Sequence, residues 1–171
     1  RINLEKSKAL LEIYPDAKFY NDANCIIIGQ NPDQFVTQKK VAIISGGTSD
    51  LNVSLEAKIA LDIYGIYSET FIDVGVAGIH RLFAVIDEIN KFDILIVCAG
   101  MEGALPTVVG GLFSQPIIAV PVSVGYGVSK NGIAAMHSML SSCSPGITVM
   151  NIDNGYGAAM AALRIIKNFS T

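Results

Sequence analysis

Four stretches of this 171-residue chain gather residue types that could do chemistry. In Ser45-Gly46-Gly47-Thr48-Ser49-Asp50 two glycines let backbone N–H groups approach an anion, and three hydroxyls precede an expected helix. That pattern suits a phosphate or a ribose. Asp50 alone also reads as an ordinary helix cap. Asp73-Val74-Gly75-Val76-Ala77-Gly78-Ile79-His80-Arg81 ends in a His-Arg pair, which can hold a phosphate or carboxylate or move a proton. Cys98-Ala99-Gly100-Met101-Glu102-Gly103 presents Glu102 between glycines, as a base, as a ribose ligand, or as first-turn helix stabilisation. The run Val122–Gly132 is glycine- and hydroxyl-rich with one cation, Lys130, and suits a cover over a substrate.

Cysteine chemistry is less legible. Cys143 stands in Ser141-Ser142-Cys143-Ser144-Pro145-Gly146, a polar turn expected to expose it, and an exposed thiol of low pKa can be a nucleophile. No Cys-His-Asn signature surrounds it, so the residues by themselves read as an inert loop thiol. Cys98, inside an apolar run, reads as a core thiol. No HxxxH or CxxC spacing is present, and no metal site is expected.

These loops need elements to position them. From Val41 onward β-branched runs alternate with helical patterns. The expected strands are Val41–Ser45, Glu69–Val74, Asp93–Ala99, Pro116–Pro121 and Ile147–Asn151. The expected helices are Val53–Tyr64, His80–Asn90, Gly103–Phe113, Ser129–Ser142 and Gly155–Phe169. Such alternation predicts an α/β fold: a three-layer, doubly wound parallel sheet of about five strands, with ligands at the carboxyl ends of the strands. Strand order does not follow from the pattern. Residues 1–40 read differently, with a short helix at Leu4–Ile13, a polar turn at 21–24, a strand at Cys25–Gly29 and a turn at Asn31-Pro32-Asp33. They are expected to be the tail of an N-terminal subdomain, with the natural start upstream of Arg1, and residues 41–171 the catalytic domain.

Composition narrows the class. Hydrophobic residues make up 51% and charged residues 16%, which suits a sheet buried on both faces. A net charge of −3 without a basic stripe excludes nucleic acid as an expected partner. No apolar run is long enough to span a bilayer, and three scattered cysteines point to a reducing, cytoplasmic setting.

Taken together, the loops resemble a known family. Ile44–Asp50 is similar to the phosphoribosyl-binding loop of PurE-type enzymes in the AIR carboxylase superfamily. Gly78-Ile79-His80-Arg81 stands where those enzymes carry a catalytic histidine, and Ala99-Gly100 through Leu105-Pro106 resembles their third loop. Two departures from PurE stand out: Ala104 replaces a second histidine, and Cys143 has no counterpart. Those departures resemble the LarB family instead, as do residues 47–51, 73–81, 99–106, 124–127, 142–146 and 151–159 in order.

The LarB resemblance implies carboxylation of nicotinic acid adenine dinucleotide at C5 of its pyridine ring, with cleavage of the phosphoanhydride. It implies CO2 or bicarbonate as co-substrate, no tightly bound cofactor, Mg2+ as an optional aid to hydrolysis, and a homo-octamer. The implied nucleophile is Cys143, with Glu102 or Asp50 as base and His80 in a catalytic role. Ser45, Gly46, Gly47, Thr48, Ser49, Asp73, Arg81, Gly100, Met101 and Lys130 are implied in substrate binding.

Overall fold

The strands that could be expected from β-branched runs are real, and pairing decides where each begins and ends. In a computed structural model of the chain, residues 1–29 and 37–168 are described. The expected turn at Asn31–Asp33 and the end of the last helix at Phe169 lie outside them. A two-stranded antiparallel hairpin pairs β1 (Lys18–Tyr20) with β2 (Cys25–Ile27). A parallel sheet contains β3 (Lys40–Ser45), β4 (Tyr67–Phe71), β5 (Ile94–Ala99), β6 (Ile117–Pro121) and β7 (Ile147–Val149), in the order β4-β3-β5-β6-β7.

Helices cover both faces. On one lie α2 (Leu51–Ile63) and α7 (Gly155–Asn168), whose Val53, Ala57, Leu61, Ala158, Ala162 and Ile166 pack on Val41, Ile43, Ile94 and Ile96. On the other lie α3 (Ile79–Ala84), α4 (Ile86–Ile89), α5 (Leu105–Leu112) and α6 (Ile133–Leu140), packed on Ala42, Ile44, Leu95 and Val97. Alternate strand residues thus enter opposite cores, and every residue of β5 is buried. Burying a side chain such as Leu95 or Ile96 contributes roughly 1.5–3 kcal/mol each. Among the described residues, no helix is long and apolar enough to cross a membrane.

Several boundaries differ from the sequence reading. The second strand of the main sheet runs Tyr67–Phe71 instead of Glu69–Val74, because it pairs from Tyr67 against Lys40 and ends before Asp73, whose φ is +61°. The single helix expected over His80–Asn90 is two, since Val85 has φ −116° and ψ 8° and closes a three-residue turn onto Leu82. The helix expected over Ser129–Ser142 begins only at Ile133, because Asn131 and Gly132 both take left-handed conformations. Leu51 already lies in the second helix, and Leu105 opens the one expected from Gly103, with Pro106 in its first turn, where proline is tolerated. The last strand stops at Val149 rather than Asn151.

The N-terminal residues fold as α1 (Leu4–Ile13) and the hairpin. β1 went unread in the sequence because three residues are too few to show a period. This piece is fastened to the main domain through Arg1, whose Nε lies 2.6 Å from Oε1 of the buried Glu56 in α2. Glu56 also accepts the amide of Tyr156 at the head of α7, so one carboxylate joins three segments.

Candidate functional site

From β3 the chain passes through α2 to β4 on one side, then crosses back to β5 on the other. A parallel sheet opens a crevice where order reverses in this way. A cavity of about 500 Å3 lies there. Its first wall is Gly46, Gly47, Ser49 and Asp50, its second Gly75–Ala77, its third Ala99–Glu102 with Ala104 and Leu105, and its fourth Val124–Tyr126. All four of the chemistry-bearing loops contribute.

Close backbone packing explains two of the glycines. A Cβ on Gly75 would sit 2.3 Å from the Gly46 carbonyl oxygen, and one on Gly100 would sit 2.4 Å from that of Val124. Neither space admits a side chain. The loops are stitched by Val74 N–H to the Ser45 carbonyl (3.1 Å) and Met101 N–H to the Val124 carbonyl (3.3 Å). Met101 itself is left-handed at φ 52°.

Asp50 is the best-placed ionisable group. It is 4% exposed, and its Oδ2 accepts the Gly47 amide at 2.8 Å. It is therefore both the cap of its own turn and a wall of the cavity. Burial pushes its carboxyl above the ordinary range, opposed by the amides of Gly47, Gly100 and Gly46. Glu102 lies exposed at the cavity. No lysine, arginine or histidine lines it among the described residues.

The other implied residues are placed as follows. Ser45 is fully buried, with its hydroxyl on the Gly47 carbonyl, and it shapes the loop from below. Thr48 is exposed and outside the lining. Gly46 and Gly47 line the cavity, but their amides are spent on the Cys98 carbonyl and on Asp50. Asp73 and Arg81 pair with each other (3.1 Å) at the surface, outside the lining. His80 and Lys130 are exposed and also outside it.

Cys98 is buried as expected, and burial pushes its thiol up to about 12. Cys143 is exposed and lines no part of the cavity. Its turn folds along α5, where the Ser142 and Thr107 hydroxyls lie 2.7 Å apart and Ser144 abuts Gly110. Among the described residues, no cluster of His, Cys, Asp or Glu is placed to hold a metal ion. The sequence reading missed Tyr126 and Ala104 as lining residues, although both lie in the loops it quoted.

Residues 40–170 match the family model described as AIR carboxylase. The chain belongs to the AIR carboxylase family. Over 154 residues it is 45% identical to an uncharacterized protein of Methanocaldococcus jannaschii, covering 89% of this chain and 59% of that one. It is 37% identical to the same organism's N5-carboxyaminoimidazole ribonucleotide mutase, covering 74% and 78%. The fold is that of Treponema denticola PurE, with a TM-score of 0.66 at 23% identity over 78% of this chain and 83% of that one. The family's members include carboxylases and mutases, and this chain shares their five-stranded, flavodoxin-like sheet.

Proposed function

We propose that this AIR carboxylase homologue is a LarB-type enzyme, carboxylating nicotinic acid adenine dinucleotide at C5 and hydrolysing its phosphoanhydride. The products are pyridinium-3,5-biscarboxylic acid mononucleotide, a precursor of a nickel-pincer cofactor, and AMP. The observation that carries the reading is Ala104. It lines the cavity where PurE-type enzymes, by the resemblance above, place a second histidine, and it leaves Asp50 and Glu102 as the carboxyl groups there. A cavity that offers carboxyl groups and, among the described residues, no imidazole suits a pyridinium ring better than an imidazole ribonucleotide.

The chemistry requires a nucleophile, because an N-ribosyl pyridinium is electrophilic at C4 and cannot attack CO2. A thiolate adding at C4 forms a C–S bond and leaves an enamine whose C5 attacks CO2. Asp50 or Glu102 then takes the C5 proton, the C–S electrons return to the sulfur, and the ring regains aromaticity. Cys143 is the exposed thiol available for that role. Water cleaves the phosphoanhydride, with Mg2+ as an optional aid carried by the diphosphate. A buried carboxylate repels phosphate, so Asp50 faces the ribose hydroxyls or the ring, and the diphosphate lies toward Thr48, Ser49 and the head of α2.

A second reading is mutase or carboxylase activity on an aminoimidazole ribonucleotide, favoured by the 37% identity to the archaeal mutase. Incubating the protein with bicarbonate and each substrate in turn separates the two. AMP together with a mononucleotide heavier by one CO2 is expected from the dinucleotide. Conversion of only the imidazole ribonucleotide would overturn the proposal.

A further inference from the structure

One acidic residue close to the cavity has no part in this chemistry. Asp153 sits in the connection from β7 to α7, in a left-handed conformation at φ 57°. Its amide donates to the Pro121 carbonyl at 2.8 Å, and its Oδ1 accepts the Ser123 amide at 2.8 Å. The β6–β7 ladder has by then run out, since the last backbone bond before it joins Met150 N–H to the Ala119 carbonyl. The carboxylate therefore takes the place that a strand carbonyl would hold, and the chain is free to turn into α7.

Ser123 opens directly into Val124–Tyr126, the fourth wall of the cavity. The Val124 carbonyl accepts the Met101 amide, next to Glu102, and leaves no room for a side chain on Gly100. Gly132 closes the same joint from the other side, where a Cβ would lie 2.8 Å from Ile152 Cγ2 and 3.1 Å from Ser123 Cα. The stack runs from the Asp153 carboxylate through the Ser123 amide and the Val124 carbonyl to the Met101 amide, so a shift at one end reaches the other.

We propose that Asp153 is a positioning residue of the cavity, clamping its Val124–Tyr126 wall against the Met101–Glu102 turn through the Ser123 amide, with its carboxylate within electrostatic reach of Asp50. What the cavity holds rests on the function proposed above; the clamp does not. The groups that act on Asp50 are the amides of Gly46, Gly47 and Gly100 directly, and the Cys98 thiol and the Asp153 carboxylate through space, with Glu102 on the same cavity. Of these, Asp153 is a charged neighbour that disfavours the Asp50 anion, an effect smaller than that of burial. Asp153 in turn lies within electrostatic reach of Arg1, which is tied to Glu56.

Two substitutions separate the clamp from the charge. Asp153→Asn keeps an oxygen for the Ser123 amide and tolerates the left-handed backbone, but loses the charge. Asp153→Ala loses both. Hydrogen exchange in the free protein is expected to quicken at least about tenfold at the Ser123 and Met101 amides in Asp153→Ala, with β5 unchanged, and to stay at the wild-type rate in Asp153→Asn. Carboxyl NMR titration is expected to show Asp50 titrating at lower pH in Asp153→Asn, because a like charge has gone. A merely structural aspartate would not move that midpoint. Wild-type exchange in the alanine variant, or an unmoved Asp50 midpoint in the asparagine variant, overturns the assignment. If the alanine variant does not fold, the midpoint decides alone. Neither measurement uses substrate, so a failure to convert the dinucleotide counts only against the proposed function.

Discussion

At the scale of single residues, Cys143 and Asp50 carry opposite kinds of evidence. Cys143 is exposed on a surface turn, so replacing its sulfur with oxygen should leave the fold within about 0.5 kcal/mol of wild type. A serine hydroxyl does not add reversibly to a pyridinium, so Cys143→Ser is expected to lose carboxylation by more than about 10³-fold. Thermal melting and turnover on the dinucleotide check both halves, and substantial turnover would exclude the covalent route. Asp50 is buried with its carboxyl pushed up. A raised acid favours the folded state while neutral. That stability is fully present below the unfolded carboxylate value of about 3.9 and is lost as pH rises through the folded value. Asp50→Asn, whose amide oxygen still accepts the Gly47 N–H, should therefore melt higher than wild type at pH 7 and converge with it below pH ~4. Each 1 kcal/mol registers as about 2–4 °C in a chain of this size.

At the scale of elements, the glycines divide into those the fold requires and those it leaves free. A Cβ on Gly100 collides with the Val124 carbonyl, so Gly100→Val should cost about 1–3 kcal/mol or more in urea unfolding. A Cβ on Gly47 meets nothing nearer than Ser49 Oγ at 3.5 Å, and its φ of −141° suits any residue. Gly47→Val should accordingly fold with little loss yet weaken dinucleotide binding at least about tenfold by calorimetry, because its side chain occupies the cavity. Unchanged affinity would move the ligand away from this loop. The expected helices failed at Val85 and at Asn131–Gly132. The i, i+3, i+4 pattern continues across both places. At Val85 the backbone leaves the helix at φ −116° and ψ 8°, and at Asn131–Gly132 left-handed conformations delay it until Ile133, and a periodic pattern reports neither.

At the scale of the whole molecule, the proposed nucleophile and the proposed base lie apart. The Cys143 turn rests along α5 and leads into β7, whose first residue, Ile147, pairs with Ile117 at the start of β6. The cavity lies beyond the opposite, carboxyl ends of the strands, roughly five residues or about 15–20 Å away. For the proposed site to use both residues, either the 141–146 turn folds around the sheet or a neighbouring subunit supplies Cys143, and we propose the second. Mixing inactive Cys143→Ala chains with inactive Asp50→Ala chains under subunit exchange should restore activity in the hybrids. A mixture that stays inactive despite proven exchange would end the shared-site model.

The α/β class, the number of strands in the main sheet and the four loops that wall the cavity were all legible in the sequence. β-branched runs, glycine-rich connections and the 3.6-residue period are local properties of a chain. The buried thiol of Cys98 was legible for the same reason, since an apolar run surrounds it. Strand order was not, because the choice between placing β5 beside β3 or beyond β4 is made by helices that pack on both faces at once. Nor could the pattern separate Asp50, which enters the cavity, from Asp73 and Arg81, which pair with each other at the surface. It also gave no sign that Asp153, about a hundred residues beyond Asp50, comes to hold the Ser123 amide at the foot of the same cavity's fourth wall. Those outcomes depend on contacts between residues distant in the chain, which the tertiary structure alone brings together.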